Sequence, residues 1–230
     1  MRQKTKPHEV GQGLVEVALI IVLVGVAAMA ALSATGTSLQ DLYCDVVIGV
    51  GGTGGSTCSG ALFSDSFENL DNWYVPWGKF SISDGSLFGE KYSAIFAKDF
   101  TGDDYTLSID KANLTQGNGY GVWFRAQNLN KPEGYIFQYD PGYDGGSFLF
   151  RKWVDGHELG PFARVKAPGY DWHGEDHQVQ IKVEGDTFTA YVDGDEVLSA
   201  SDSTYTEGTV GLRTWDGTRA TFDDITITNP

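Results

Sequence analysis

The chain is poor in cysteine, histidine and basic charge, and each scarcity removes a class of function. Two cysteines in 230 residues cannot complete a zinc site by themselves, and no histidine lies near them. Lysine and arginine total 16 against 31 acidic residues, a formal net charge of −15 at pH 7. So acidic a surface repels phosphate backbones, which excludes nucleic acid as a partner. After residue 34 no apolar run long enough to cross a bilayer recurs, which excludes a multi-pass membrane protein. Beyond residue 60 no stretch keeps a helical period for more than a turn or two.

Apolar residues are 41% of the chain and charged residues 20%, the balance of a folded protein rather than a disordered one. Thirty glycines, a 13% share of aromatic residues and only two methionines indicate a β-rich domain with many tight turns.

The N-terminus has a different character. Arg2, Lys4 and Lys6 precede LVEVALIIVLVGVAAMAALSA, an apolar run over residues 14–34. Its length matches the roughly 20 residues a helix needs to cross a bilayer core, and the basic flank keeps the N-terminus inside. The run is too long for the apolar core of a secretory signal peptide. Glu16 lies within it, where a carboxylate costs a few kcal/mol and therefore has a function. If the chain were cut after Gly11, the new α-ammonium of Gln12 would lie one helical turn from Glu16 and could neutralise it. Pairs of alanines four apart (Ala27 and Ala31, Ala30 and Ala34) would let such helices pack closely.

The stretch GQGLVEVALIIVLVGVAAMAALSATGTSL resembles the N-terminus of Flp-type pilins, the type IVb subunits of tight-adherence pili. That resemblance implies cleavage by a prepilin peptidase between Gly11 and Gln12, with Glu16 as the assembly glutamate at the fifth mature position. The family commonly has Glu-Tyr where this chain has Glu16-Val17. The expected organisation is a leader over residues 1–11, a hydrophobic pilin helix over 12–42, a glycine-rich connector over 43–60 and a β-sandwich over 61–230. Cys44 and Cys58 flank the connector, and an even pair in an exported protein reads as a disulfide. It would contribute ~3 kcal/mol in the chain-entropy model.

From residue 61 onward, short alternating runs are broken by Gly, Asp and Asn, the pattern of about ten antiparallel strands in a sandwich or jelly roll. The fold class expected is therefore mainly β, a long N-terminal helix followed by an antiparallel β-sandwich. Three runs pair Trp and Arg two residues apart. In VWFRA, Val122 and Phe124 would face in, with Trp123 and Arg125 out. In FLFRKWV, Arg151 and Trp153 face out, as do Arg213 and Trp215 in VGLRTW; Gln138 joins that set. Flat rings stack on the C–H faces of sugars while forked donors bind hydroxyls, so these seven residues form the candidate carbohydrate site. The alternative, that Arg and Trp cover the sheet or meet a neighbouring subunit, is equally open at this point.

DSFENLDNWYVPWGKFSISDGSLFG, GYGVWFRAQ, GYIFQYDPG, FTAYVDGDEVL and FDDITIT resemble the concanavalin A-like, laminin-G-type lectin and glucanase superfamily. Its members often hold a structural calcium ion, which here would involve Asp65, Glu68 and Asp224, although turn carboxylates in an acidic protein explain these residues too. No strand carries the E-x-D-x-x-E spacing of glucanases in this fold, Glu158 and Glu175 fall in apparent loops, and His157, His173 and His177 lack a third ligand. A non-enzymatic protein is therefore expected. Its leading function is that of a homo-oligomeric pilus subunit, handled by prepilin peptidase and inner-membrane assembly machinery, held in the cytoplasmic membrane before assembly and extracellular afterwards. The alternatives are a glycan-binding adhesin or minor pilin, and a membrane-anchored glycan-active protein.

Overall fold

The computed structural model describes residues 61–167 and 173–230. They form β1 (Ala61–Asp65), β2 (Trp73–Ser83), β3 (Ser86–Ala97), β4 (Tyr105–Gln116), β5 (Tyr120–Gln127), β6 (Glu133–Asp140), β7 (Ser147–Val154), β8 (His157–Lys166), β9 (Asp176–Glu184), β10 (Thr187–Val192), β11 (Asp195–Ser201), β12 (Thr209–Thr214) and β13 (Arg219–Thr228). The expected class, a β-sandwich led by a long helix, is corrected to all-β. The described residues hold thirteen strands and no helix, hence no helix among them long and apolar enough to cross a membrane. The apolar run, Gly11, Gln12, Glu16, Cys44 and Cys58 lie outside the described residues.

Every named strand pairing is antiparallel, in the order β11-β10-β9-β4-β13-β3-β12-β5-β6-β7-β8, with β1 on β13 and β2 on β3. The ladder folds over on itself, and β11 packs against β7 and β8. Period-two alternation puts one face of each strand into the space between the layers. Val122 and Phe124, Phe137 and Tyr139, Phe148 and Phe150, Val210 and Leu212 meet Leu107 and Ile109, Val179 and Ile181, Phe188, and Ile225 and Ile227 in one core. Each such side chain contributes about 1.5–3 kcal/mol when fully buried.

Three strands lie beyond the ten runs read from the sequence: β1, β8 and β11. The turn into β8 is Asp155-Gly156, with φ of 49° and 77°, the left-handed pair that a two-residue hairpin requires. Further along β8, Gly160 and Pro161 interrupt the alternation, and the register against β7 shifts on both sides of Arg151. A strand so broken reads as a loop, which is why Glu158 was placed in one.

A bulge decides the orientation of Arg125. The registers of β5 with β6 and with β12 both slip near this residue, and its φ is +48°. The side chain therefore leaves the face that alternation assigns to it. Its guanidinium donates to the carbonyls of Asp103 (3.1 and 2.7 Å), Tyr205 (3.0 Å) and Gly185 (2.7 Å), and it is 2% exposed. Arg125 thus ties three loops together within the fold.

Candidate functional site

The outer face of the layer β2-β3-β12-β5-β6-β7-β8 carries a second, smaller apolar cluster. It comprises Ala94, Phe96, Trp123, Ala126, Ile136 and Trp153, with Trp77 and Leu129 packed against it. Trp123 is fully buried there, its ring 5.4 Å from Phe96 and 5.0 Å from Trp153. Two glycines make room for Ile136 and Phe96 in this cluster: a Cβ on Gly121 would lie 2.4 Å from Ile136, and one on Gly211 2.5 Å from Phe96. The indole N–H groups of Trp77, Trp123 and Trp153 have no hydrogen-bond partner, so ring packing has to offset the loss.

Beside this cluster the same face turns polar. Arg213 Nη1 donates to both oxygens of Glu158, each at 3.1 Å. Gln138 donates through Nε2 to Glu158 Oε1 and accepts through Oε1 from Arg151 Nε at 2.9 Å. Arg151 Nε lies 3.7 Å from the same carboxylate. The order Arg213–Glu158–Gln138–Arg151 is thus a continuous charge-assisted network across β12, β8, β6 and β7. Arg213 is held from its other sides by rings, its Cζ 4.8 Å from the Trp153 ring, 5.4 Å from Trp215 and 5.7 Å from Tyr92. Those rings stand in for the missing partner of its Nε. Arg151 lies 5.1 Å from the ring of Tyr143.

These groups enclose a cavity of about 180 Å³ lined by Gln138, Asp140, Arg151, Glu158, Arg213 and Trp215. Burial pushes the Asp140 carboxyl above the ordinary carboxylate range, against the opposing pull of Arg151. Two guanidinium groups face two carboxylates, so the cavity is close to charge-balanced and rich in both donors and acceptors. Such a lining suits a neutral polyhydroxyl ligand, with the Trp215 ring available to a C–H face.

Of the seven residues proposed from the sequence, the structure brings Gln138, Arg151, Arg213 and Trp215 to the cavity wall. Trp153 supports Arg213 from below, Trp123 lies one ring deeper, and Arg125 is not part of the group. Asp140 and Glu158 were not among the seven. The signal for Glu158 was the Asp155-Gly156 hairpin turn, and Asp140 lies two residues beyond Gln138 on the same face of β6. Of the proposed calcium ligands, Asp65 pairs with Ile225, the neighbour of Asp224, in the β1–β13 register, and the carboxylates have other surroundings. Asp65 accepts from Phe67 N at 2.7 Å and from Asn72 Nδ2 and Trp73 Nε1 at 2.9 Å each, while Asp224 lies near Asp223 and Asp110. Among the described residues no group of three or more His, Cys, Asp or Glu is placed to hold a metal ion. A second, larger groove of about 580 Å³, walled by Tyr74, Leu129 and Glu207 among others, opens at the far end of β5.

A family model described as a 3-keto-alpha-glucoside-1,2-lyase-like domain matches residues 60–228. The chain belongs to this family. It is also similar to the levanase of Bacillus subtilis (strain 168), 31% identical over 177 residues, which are 76% of this chain and 22% of the levanase. The chain thus spans about a fifth of that relative's length. Among solved structures, the carbohydrate binding module CBM66 from Bacillus subtilis is 26% identical at a TM-score of 0.60, over 69% of this chain and 96% of the module. A Bacillus licheniformis beta-glucanase superposes at a TM-score of 0.57 with 13% identity, over 73% of this chain and 98% of the glucanase, which shows the fold alone. The concanavalin A-like part of the sequence resemblance therefore stands. The non-enzymatic reading is overturned: the family to which the chain belongs is described as lyase-like, and a relative matched over 76% of this chain is a levanase.

Proposed function

We propose that this domain binds the terminal ring of a neutral glycan in the Glu158 cavity. The observation that carries the reading is the network Arg213–Glu158–Gln138–Arg151, closed by Asp140 and Trp215 around about 180 Å³. That volume is below the roughly 300–1,000 Å³ typical of drug-sized ligand sites, so it suits one sugar ring rather than a chain lying along a groove. Arg and carboxylate groups offer forked donors and acceptors to adjacent hydroxyls. An acidic sugar would meet Glu158 and Asp140 at close range, which disfavours it. Similarity to a levanase makes levan the first ligand to try.

Glycan cleavage in the same cavity is a second reading, favoured by one observation. Asp140, pushed up by burial, shares the cavity with Glu158, and two carboxyl groups in unlike environments are what acid–base chemistry on a glycoside requires. The filament-subunit reading keeps as support only the resemblance of residues near the N-terminus, outside the described residues. A location outside the cytoplasmic membrane goes with a polymeric glycan as ligand.

Isothermal titration of the full chain with fructose, glucose, levan fragments and α-glucan fragments tests the proposal. Saturable binding of at least one neutral sugar at one site per chain is expected. No heat with any of them, at concentrations up to tens of millimolar, would overturn it. Chromatography of the same mixtures reads out cleavage.

A further inference from the structure

We propose that Tyr92 and Trp77 form a stacking platform for the second sugar unit of the glycan whose terminal ring occupies the Glu158 cavity; this rests on the function proposed above. Tyr92 is 52% exposed, the most exposed large apolar side chain among the described residues. Its ring stacks on Trp77, with centroids 6.2 Å apart and planes 26° from parallel. Alternation along β3 puts Tyr92 on the same outer face as Ala94 and Phe96, and Trp77 pairs with Ala94 from β2.

Arg213 joins the platform to the cavity. One side of its guanidinium is bound to Glu158, and the Tyr92 ring lies 5.7 Å from its Cζ. A glycan whose end ring is fixed by Glu158, Asp140 and Arg151 therefore has an aromatic surface one residue away on the same face. Trp77 has a covering role as well, since it meets Phe96 edge-on at 6.3 Å. Tyr92 does not; it touches Trp77 and Arg213 and leaves half its surface in water. An exposed ring stack beside a polar cavity is the arrangement expected of a partner surface.

The backbone is shaped to hold the stack. The register of β2 against β3 slips on both sides of Trp77. At the slip, Gly78 has φ of +74°, and a Cβ there would lie 2.2 Å from Ser93 Oγ and 2.4 Å from the Tyr92 carbonyl oxygen. Only glycine permits that approach. Ser93 Oγ fixes the bulge from within, accepting from Lys79 N at 2.9 Å and donating to the Glu90 carbonyl at 2.6 Å. β2 is thereby pressed down onto β3 at the point where Trp77 meets Tyr92.

The test is titration of the full chain and its Tyr92→Ala variant with fructose and with levan fragments of two, three and four units. Tyr92 is exposed, so the variant should fold. The wild type is expected to bind fragments more tightly than fructose. Tyr92→Ala also removes one of the rings beside Arg213, so fructose should weaken by a few fold, but the fragments should weaken about tenfold more than fructose, removing the gain with length. Tyr92→Phe should retain that gain. If fructose binds and the gain survives in Tyr92→Ala, or if all ligands weaken equally, the platform is wrong while the cavity reading stands. If the wild type binds neither these ligands nor glucose or α-glucan fragments, both fail; if it binds only the latter, the same comparison between single sugar and fragments decides the platform.

Discussion

Glu158→Gln is expected to lower sugar affinity by about a hundredfold or more. The carboxylate accepts from both Arg213 and Gln138, and it faces the cavity. A hydrogen bond to a charged group contributes ~1.5–3 kcal/mol, or roughly one to two decades of affinity. The larger loss follows because Arg213 and Gln138 would lose the partner that aims them, so several contacts fail together. Stability should fall too. Arg213 is 6% exposed, and a nearly buried cation without its carboxylate is costly. Because Glu158 retains some contact with water, we expect about 2 kcal/mol, below the full penalty for a wholly buried pair. The double variant Glu158→Gln with Arg213→Gln separates the roles. It removes the stranded charge and should recover part of the stability while binding remains lost. Calorimetric titration and thermal unfolding of the three proteins check this.

Trp123→Ala is expected to cost about 3–5 kcal/mol of stability, the range for emptying a fully buried large aromatic site. The ring is enclosed by Phe96 and Trp153, two large side chains that are themselves packed and cannot readily collapse into the space. For a domain of this size that corresponds to a fall in Tm of roughly 10 °C or more. Sugar binding would fall with it, because Trp153 would lose its backing and Arg213 rests on Trp153. The loss of binding alone would therefore not make Trp123 a ligand contact. Trp123→Phe distinguishes the two: it keeps most of the packing, so binding should stay within about threefold while Tm drops by a few degrees. A large loss of binding at an unchanged Tm would instead place Trp123 against the sugar.

The sandwich and the shared face were legible because alternation of period two is a local signal. Gln138, Arg151, Trp153, Arg213 and Trp215 lie on the face that alternation assigns to them. Arg125 follows the same rule on paper, but a bulge at φ +48° turns it inward, and bulges depend on the neighbouring strands. Trp123 points outward as its position requires and is nonetheless buried, because Phe96 and Trp153 from other strands lie against its ring, with Trp77 and Leu129 packed on the same cluster. Glu158 was hidden by Gly160 and Pro161, which break the pattern of an edge strand that can tolerate them. Asp65 reads as a cation ligand from the superfamily resemblance. Its two oxygens accept from Phe67, Asn72 and Trp73, local contacts that no spacing rule foretells.

The most direct test of the central claim is a crystal structure of the full chain soaked with a levan fragment, or with whichever panel sugar binds best. A terminal ring should lie among Asp140, Arg151, Glu158 and Trp215, with hydroxyls within hydrogen-bond distance of the Glu158 carboxylate. A sugar seated instead in the groove beside Tyr74 and Leu129, with the Glu158 cavity holding only water, would contradict the account.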